Sequence, residues 1–193
     1  PGQFLQLGLQ LGDKFVHRPY SVASPYGPVL EFYIVLVEDG LLTPHLWKMD
    51  TGSFVEVSQH AAGTFTLQKA PPRKNLWLFG TGTGLAPYVA MLRSPEVWQK
   101  YEQITLVHCA RYHQDLSYQE ELKCYLKKYR GRFAYVPSLT REDVDEAAYG
   151  RIPHLVESGE LFQLSPFELS AEASAVMLCG NPAMLDDMEE LLQ

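Results

Sequence analysis

The sequence predicts a two-domain protein, an N-terminal antiparallel β-barrel followed by an α/β domain built on a parallel sheet. Three observations carry this expectation. Up to about Lys69 the apolar residues alternate with a period of two. The run Ala70-Pro71-Pro72-Arg73-Lys74 then breaks the pattern. Beyond it, short apolar strands alternate with helix-period segments, the arrangement of βαβ units on a parallel sheet. The domains are expected at residues 1–70 and 71–193, with no internal repeats or low-complexity tracts.

In the first domain Leu5, Leu7 and Leu9 alternate with polar or small residues and mark a strand. Phe32, Ile34 and Leu36 share one face of a second, spanning roughly residues 30–37. Val55 with Val57, and Phe65 with Leu67, mark two more. Turn residues such as Ser24-Pro25-Tyr26-Gly27-Pro28 and Glu38-Asp39-Gly40 punctuate them, and short strands at regular spacing suit a barrel or sandwich. In the second domain residues 76–79 form an apolar strand, 87–92 a helix with proline in its first turn, and 104–109 the next strand. Ser117 and Glu120 have the spacing of a capping box ahead of Leu122, Tyr125, Leu126 and Tyr129, which share a helical face. Gly131 stops that helix, residues 133–136 form the third strand, 151–159 a short helix and 176–179 the fourth strand. Asn181-Pro182 opens a last helix.

Composition narrows the function. The 193 residues carry 46% hydrophobic and 20% charged side chains, the balance of a globular protein. A net charge of −7 argues against binding a phosphate backbone as the main task, so no nucleic-acid partner is expected. Cys109, Cys124 and Cys179 are scattered and odd in number. They outline no disulfide framework and are too few for a four-cysteine iron–sulfur cluster, so a reducing, cytoplasmic location is expected. The six histidines show no metal-binding spacing, so no metal is expected. No apolar run approaches the ~20 residues that span a bilayer, so no membrane insertion is expected. The opening Pro1-Gly2-Gln3-Phe4 resembles neither a signal peptide nor a natural start, and the chain is expected to be a fragment.

Three motifs carry chemistry. Gly80-Thr81-Gly82-Thr83-Gly84-Leu85-Ala86-Pro87 lies between a strand and a helix. There, glycines let the backbone approach a pyrophosphate whose charge helix N–H groups stabilise; a bare tight turn is the alternative. A strand selecting NAD usually ends in Asp or Glu, whereas this second strand runs into Arg111. Arginine suits a ribose 2′-phosphate, and Arg141 and Arg151, after later strands, can converge on it; solvated surface arginines are the alternative. In the barrel half, Arg18-Pro19-Tyr20-Ser21 follows a strand and precedes a loop. It offers a phosphate partner, a ring for stacking and a hydroxyl; a buried barrel tyrosine beside a turn serine is the alternative.

Together R-P-Y-S, Leu41-Leu42-Thr43-Pro44, G-T-G-T-G-L-A-P and Cys179-Gly180-Asn181-Pro182, in that order, resemble the bacterial branch of the ferredoxin/flavodoxin–NADP reductase family over essentially the whole chain. The stretches from His108 to Tyr112 and from Gly150 to Pro153 agree. The resemblance implies an FAD-binding barrel and a Rossmann-like NADP-binding domain, with FAD and NADP(H) as cofactors and ferredoxin or flavodoxin as partner. It implies Arg18 at the FAD pyrophosphate, Tyr20 against the isoalloxazine, and Ser21 at flavin N5. Tyr33, Ile34, Val35 and Leu36, with Leu41, Leu42 and Thr43, match backbone contacts to the flavin and its phosphates. Thr83 matches a residue facing both cofactors. Arg111, Tyr112, Thr140, Arg141 and Arg151 belong to stretches matching the 2′-phosphate pocket. Met177, Leu178, Cys179, Gly180 and Asn181 match the segment below the nicotinamide, with Cys179 beside the hydride path and not a covalent nucleophile.

Relatives have a strand or two before the G-Q-F segment and a carboxy-terminal tail, so both domains are expected to be incomplete at their outer ends. The implied activity is electron exchange between NADPH and a one-electron carrier by hydride transfer at flavin N5, in a monomer. Two alternatives are the NAD(P)H-dependent reductase component of an oxygenase and a flavin reductase, and the three arginines speak against both. A non-catalytic nucleotide-binding module is a third.

Overall fold

The computed structural model describes all 193 residues. They divide into two compact units, Pro1–Lys69 with Ala86–Ser94, and Ala70–Leu85 with Pro95–Gln193.

In the first unit β1 (Phe4–Leu11) pairs antiparallel with β2 (Lys14–Ser21), closed by the tight turn at Gly12, where φ is +60°. β3 (Glu56–Val57) pairs antiparallel with the other side of β1, in the order β2-β1-β3. Leu5 and Leu7 fall on the buried face of β1 because strand side chains alternate. Arg18-Pro19-Tyr20-Ser21 lies inside β2, not after a strand as expected. Pro19 is tolerated there because β2 is an edge strand with no ladder bond required on its outer side.

The closed barrel is not present. The strand expected over residues 30–37 is reduced to a single bridge between Phe32 and Val22, with one flanking bond from Ala23 N–H to the Glu31 carbonyl. No strand runs beside residues 33–37, so no ladder propagates, although the alternation itself suits β-structure. Phe65 likewise lies in irregular chain and Leu67 in a turn, with Leu67 buried as a single anchor.

Two helices complete this unit, α1 (Thr43–Leu46) and α2 (Ala86–Arg93). α2 is buried from Ala86 to Leu92, and its Tyr88 ring lies 5.9 Å from that of Phe65. At its end Arg93 Nη1 donates to Glu31 Oε2 at 2.8 Å and to the Ala23 carbonyl at 3.1 Å, pinning the segment after β2.

The second unit is a parallel sheet in the order β7-β6-β5-β4-β8. Its strands are β4 (Asn75–Thr81), β5 (Gln103–Ala110), β6 (Phe133–Leu139), β7 (Ala148–Tyr149) and β8 (Ser174–Cys179). β4 is buried from Asn75 to Gly80, as a central parallel strand covered on both faces should be. The helices are α3 (Pro95–Lys100), α4 (Gln119–Lys128), α5 (Ile152–Glu157), α6 (Leu161–Leu164) and α7 (Pro182–Leu191). One apolar cluster joins Trp77, Phe79, Val107 and Val136 of the sheet to Leu155, Leu161, Met184 and Met188 of the helices. Each such side chain contributes about 1.5–3 kcal/mol by leaving water.

The expected capping box does not form. α4 is capped at Tyr118, in the left-handed region at φ +62°, so Ser117 lies one residue too early. Glu120 is instead paired with Lys123 at 2.9 Å.

Candidate functional site

In the first unit the residues expected near flavin come from β2 and the chain after it. Arg18 and Tyr20 are two apart and share a face of β2, opposite Leu7 and Leu5. Ser21 turns to the other face at the strand's end, where the Val22 N–H bonds the Gln3 carbonyl at 3.1 Å. Arg18 is exposed, and its guanidinium makes one bond, from Nη1 to the His17 carbonyl at 2.7 Å. Its remaining donors are free for an anion. Burial raises the Tyr20 pKa, and the nearby Arg18 charge offsets part of that, so the phenol stays neutral.

Tyr33 and Ile34 are half-buried, whereas Val35 and Leu36 are exposed. The following turn is tied back on itself. Thr43 Oγ1 accepts from Val37 N–H at 3.0 Å and donates to the Val37 carbonyl at 3.0 Å. The Gly40 N–H bonds the same carbonyl. Leu42 is buried beneath this turn, and Leu41 points to solvent. An exposed, unpaired guanidinium, a neutral tyrosine ring and uncovered apolar residues fit a flat, diphosphate-bearing group such as FAD.

In the second unit the remaining expected residues leave the carboxyl ends of the five parallel strands. Sheet order reverses at β4, with β5, β6 and β7 on one side and β8 on the other. That is the switch point at which open α/β sheets bind ligands. The Gly82–Leu85 turn, a single 3₁₀ turn, packs directly on the end of β8. A Cβ at Gly84 would lie 2.3 Å from the Cys179 carbonyl oxygen. Gly180, at φ +141°, meets Thr81 as closely from the other side. The Asn181 N–H donates to Thr81 Oγ1 at 2.7 Å, and Asn181 Oδ1 caps α7 through Ala183 N–H at 2.9 Å. Thr83 and the segment Met177–Asn181 are therefore brought together. Burial pushes the Cys179 thiol up to about 11, so it stays protonated and is no nucleophile at neutral pH.

Toward the other edge, Arg141 N–H bonds the Arg111 carbonyl at 3.1 Å, and Thr140 N–H bonds that of Ala110 at 3.1 Å. Arg151 follows Gly150, whose N–H bonds the Leu139 carbonyl at 2.8 Å. Arg111, Arg141 and Arg151 thus leave three consecutive strands side by side. All three are exposed, and none is ion-paired. Tyr112 lines a small cleft with His113, Gln114 and Glu142. The glycine cradle and the row of free guanidinium groups fit a dinucleotide with an extra phosphate.

Two further residues shape this rim without any sequence signal to separate them from ordinary core. Ser138 is fully buried, and its hydroxyl donates to the Gly150 carbonyl, fixing the residue before Arg151. His108 is fully buried and reaches the Gly82 carbonyl. No group of His, Cys, Asp and Glu side chains has the arrangement to hold a metal ion, and no helix is long and apolar enough to cross a membrane.

Residues 78–190 match the oxidoreductase NAD-binding domain family. A flavodoxin/ferredoxin–NADP reductase of Escherichia coli K12 is 42% identical over 189 residues, covering 97% of this chain and 76% of the relative. A ferredoxin–NADP reductase of Azotobacter vinelandii is 35% identical over 202 residues, covering 99% and 77%. Among solved structures, a ferredoxin NADP+ reductase from Neisseria gonorrhoeae with bound FAD and NADP superposes with a TM-score of 0.93 at 31% identity, covering 99% of this chain and 77% of that one.

Proposed function

The chain belongs to the flavodoxin/ferredoxin–NADP reductase family, and from that premise we infer that it exchanges electrons between NADPH and ferredoxin or flavodoxin. FAD and NADP(H) are the cofactors. When bound, they supply the redox chemistry itself, a hydride passing between nicotinamide and flavin N5 and electrons leaving singly. The chain's own residues bind and orient them, which is where proximity and alignment lower the barrier.

In this reading residues 1–70 form the flavin-binding domain and residues 71–193 the NADP-binding domain. Arg18 neutralises the flavin pyrophosphate, Tyr20 packs on the ring, and Ser21 presents its hydroxyl to N5. The backbone of Tyr33–Leu36 and of Leu41–Thr43 lines the flavin and its phosphates. Thr83 and the backbone from Met177 to Asn181 hold the nicotinamide, with Cys179 shaping the hydride path as a neutral thiol. Arg111, Arg141 and Arg151, with Thr140 and Tyr112, take the 2′-phosphate. The protein acts as a monomer in the cytoplasm.

The observation that carries this reading is the rim of the parallel sheet, where a glycine turn packs against Cys179–Asn181 and three unpaired arginines stand in a row. Each charge-assisted bond contributes about 1.5–3 kcal/mol. If half survives competition with water, three arginines give on the order of a hundredfold preference for NADPH over NADH. Comparing kcat/KM for the two nucleotides tests this. The triple replacement of Arg111, Arg141 and Arg151 by Ala should bring the two values close together. A wild-type protein without preference would overturn the arginine assignment.

A further inference from the structure

Of the six histidines only His108 is buried. It lies on β5 in register with Gly80 of β4, and its Nε2 stands 3.1 Å from the carbonyl oxygen of Gly82, the first residue of the glycine turn. Its other ring nitrogen, Nδ1, is buried and has no partner. A neutral imidazole carries one N–H, and a carbonyl only accepts, so the proton sits on Nε2 and Nδ1 is left as an unused acceptor. Burial keeps the ring neutral, lowering its pKa to about 4. An unused buried acceptor is destabilising, and an apolar side chain on this strand would avoid it. What the imidazole adds, and an apolar residue does not, is the bond to the turn.

No neighbour crowds that residue. Nothing lies within 4 Å of where a Cβ would stand at Gly82, and its φ of +52° is one that glycine enters and leaves freely. The Gly82 carbonyl and the Thr83 N–H share one trans peptide plane and point in opposite directions. Holding the carbonyl against the buried ring therefore sends the Thr83 N–H the other way, away from the imidazole. Resting on the NADPH reading above, we propose that His108 is a positioning residue for NADPH, holding the first peptide of the glycine turn in its binding orientation. The Gly82 backbone is partly exposed, so water can replace the imidazole when it is removed, and the peptide is then held only by the turn's own bond from Leu85 N–H to the Gly82 carbonyl.

The test uses flavin-loaded protein with His108→Leu, His108→Met and His108→Gln, the last keeping an N–H donor near the Nε2 position. Steady-state NADPH oxidation with ferricyanide as acceptor gives KM and kcat, and thermal melts give stability. The Leu and Met variants should melt no lower than wild type and raise KM for NADPH by about five- to tenfold, with kcat at saturation kept. The Gln variant should stay within about twofold of wild type. An unchanged KM in the apolar variants overturns the proposal, as does an equal rise in all three or failure of both apolar variants to fold. A wild-type protein that does not oxidise NADPH would instead sink the functional reading on which the proposal rests.

Discussion

Replacing Gly84 by Ala probes the contact between the glycine turn and the end of β8. The new Cβ would lie 2.3 Å from the Cys179 carbonyl oxygen, 2.7 Å from its carbon and 2.9 Å from Gly180 Cα. All three are backbone atoms, so no side chain can swing aside. Ordinary contact begins at 3.4 Å, so the two segments must part by about 1 Å. Overpacking of this kind costs about 1–3 kcal/mol. For a chain of this length that lowers the melting temperature by roughly 2–12 °C. A displacement of about 1 Å in a segment that positions a reacting group slows the reaction by on the order of a hundredfold. Stopped-flow reduction of the flavin by NADPH reads this effect directly. Gly131→Ala, away from the turn, is the control, since open space surrounds that position and only its φ of +79° is unfavourable, at about 1–2 kcal/mol. Flavin reduction in Gly84→Ala within about twofold of wild type would refute the reasoning. A larger loss in Gly131→Ala than in Gly84→Ala would refute it too.

Two further outcomes follow from single side chains. The folded protein holds His108 neutral down to about pH 4, whereas the unfolded chain protonates it near 6.5. Between those values the unfolded state binds the extra proton, so this stability is fully present above pH 6.5 and lost as pH falls toward 4. The loss is about 3 kcal/mol at 1.36 kcal/mol per unit, and urea unfolding of wild type and His108→Gln at about pH 7 and about pH 4.5 isolates it; parallel losses would count against it. Ser21→Ala should slow flavin reduction by NADPH about tenfold through loss of one hydrogen bond, and an unchanged stopped-flow rate would remove Ser21 from that role.

The parallel sheet was readable in the sequence because its central strands are covered on both faces. Leu76-Trp77-Leu78-Phe79 stands out as an unbroken apolar run, and Ile104–Cys109 as a mostly apolar one interrupted by Thr105 and His108. The short strand Ala148–Tyr149 offers two residues and no period, and so left no trace. In the first half, residues 30–37 alternate as a strand should, but alternation reports the pleat and not whether a neighbour exists to accept the ladder. Ser117 and Glu120 have capping-box spacing, yet Tyr118 takes the left-handed conformation and starts the helix one residue later, a choice that spacing cannot reveal. The glycine turn and the rim arginines were legible because their residue types are unusual after a strand. His108 was not, because a buried histidine on a strand reads the same whether its ring meets a core side chain or the carbonyl of a turn.

The central claim is that this chain takes electrons from NADPH through a bound flavin and passes them to a one-electron carrier. Anaerobic titration of the FAD-loaded protein with NADPH, followed by oxidised ferredoxin or flavodoxin, tests it most directly. The account predicts that flavin absorbance bleaches with NADPH far more readily than with NADH and returns when the carrier is added. Flavin that stays oxidised in excess NADPH would contradict it.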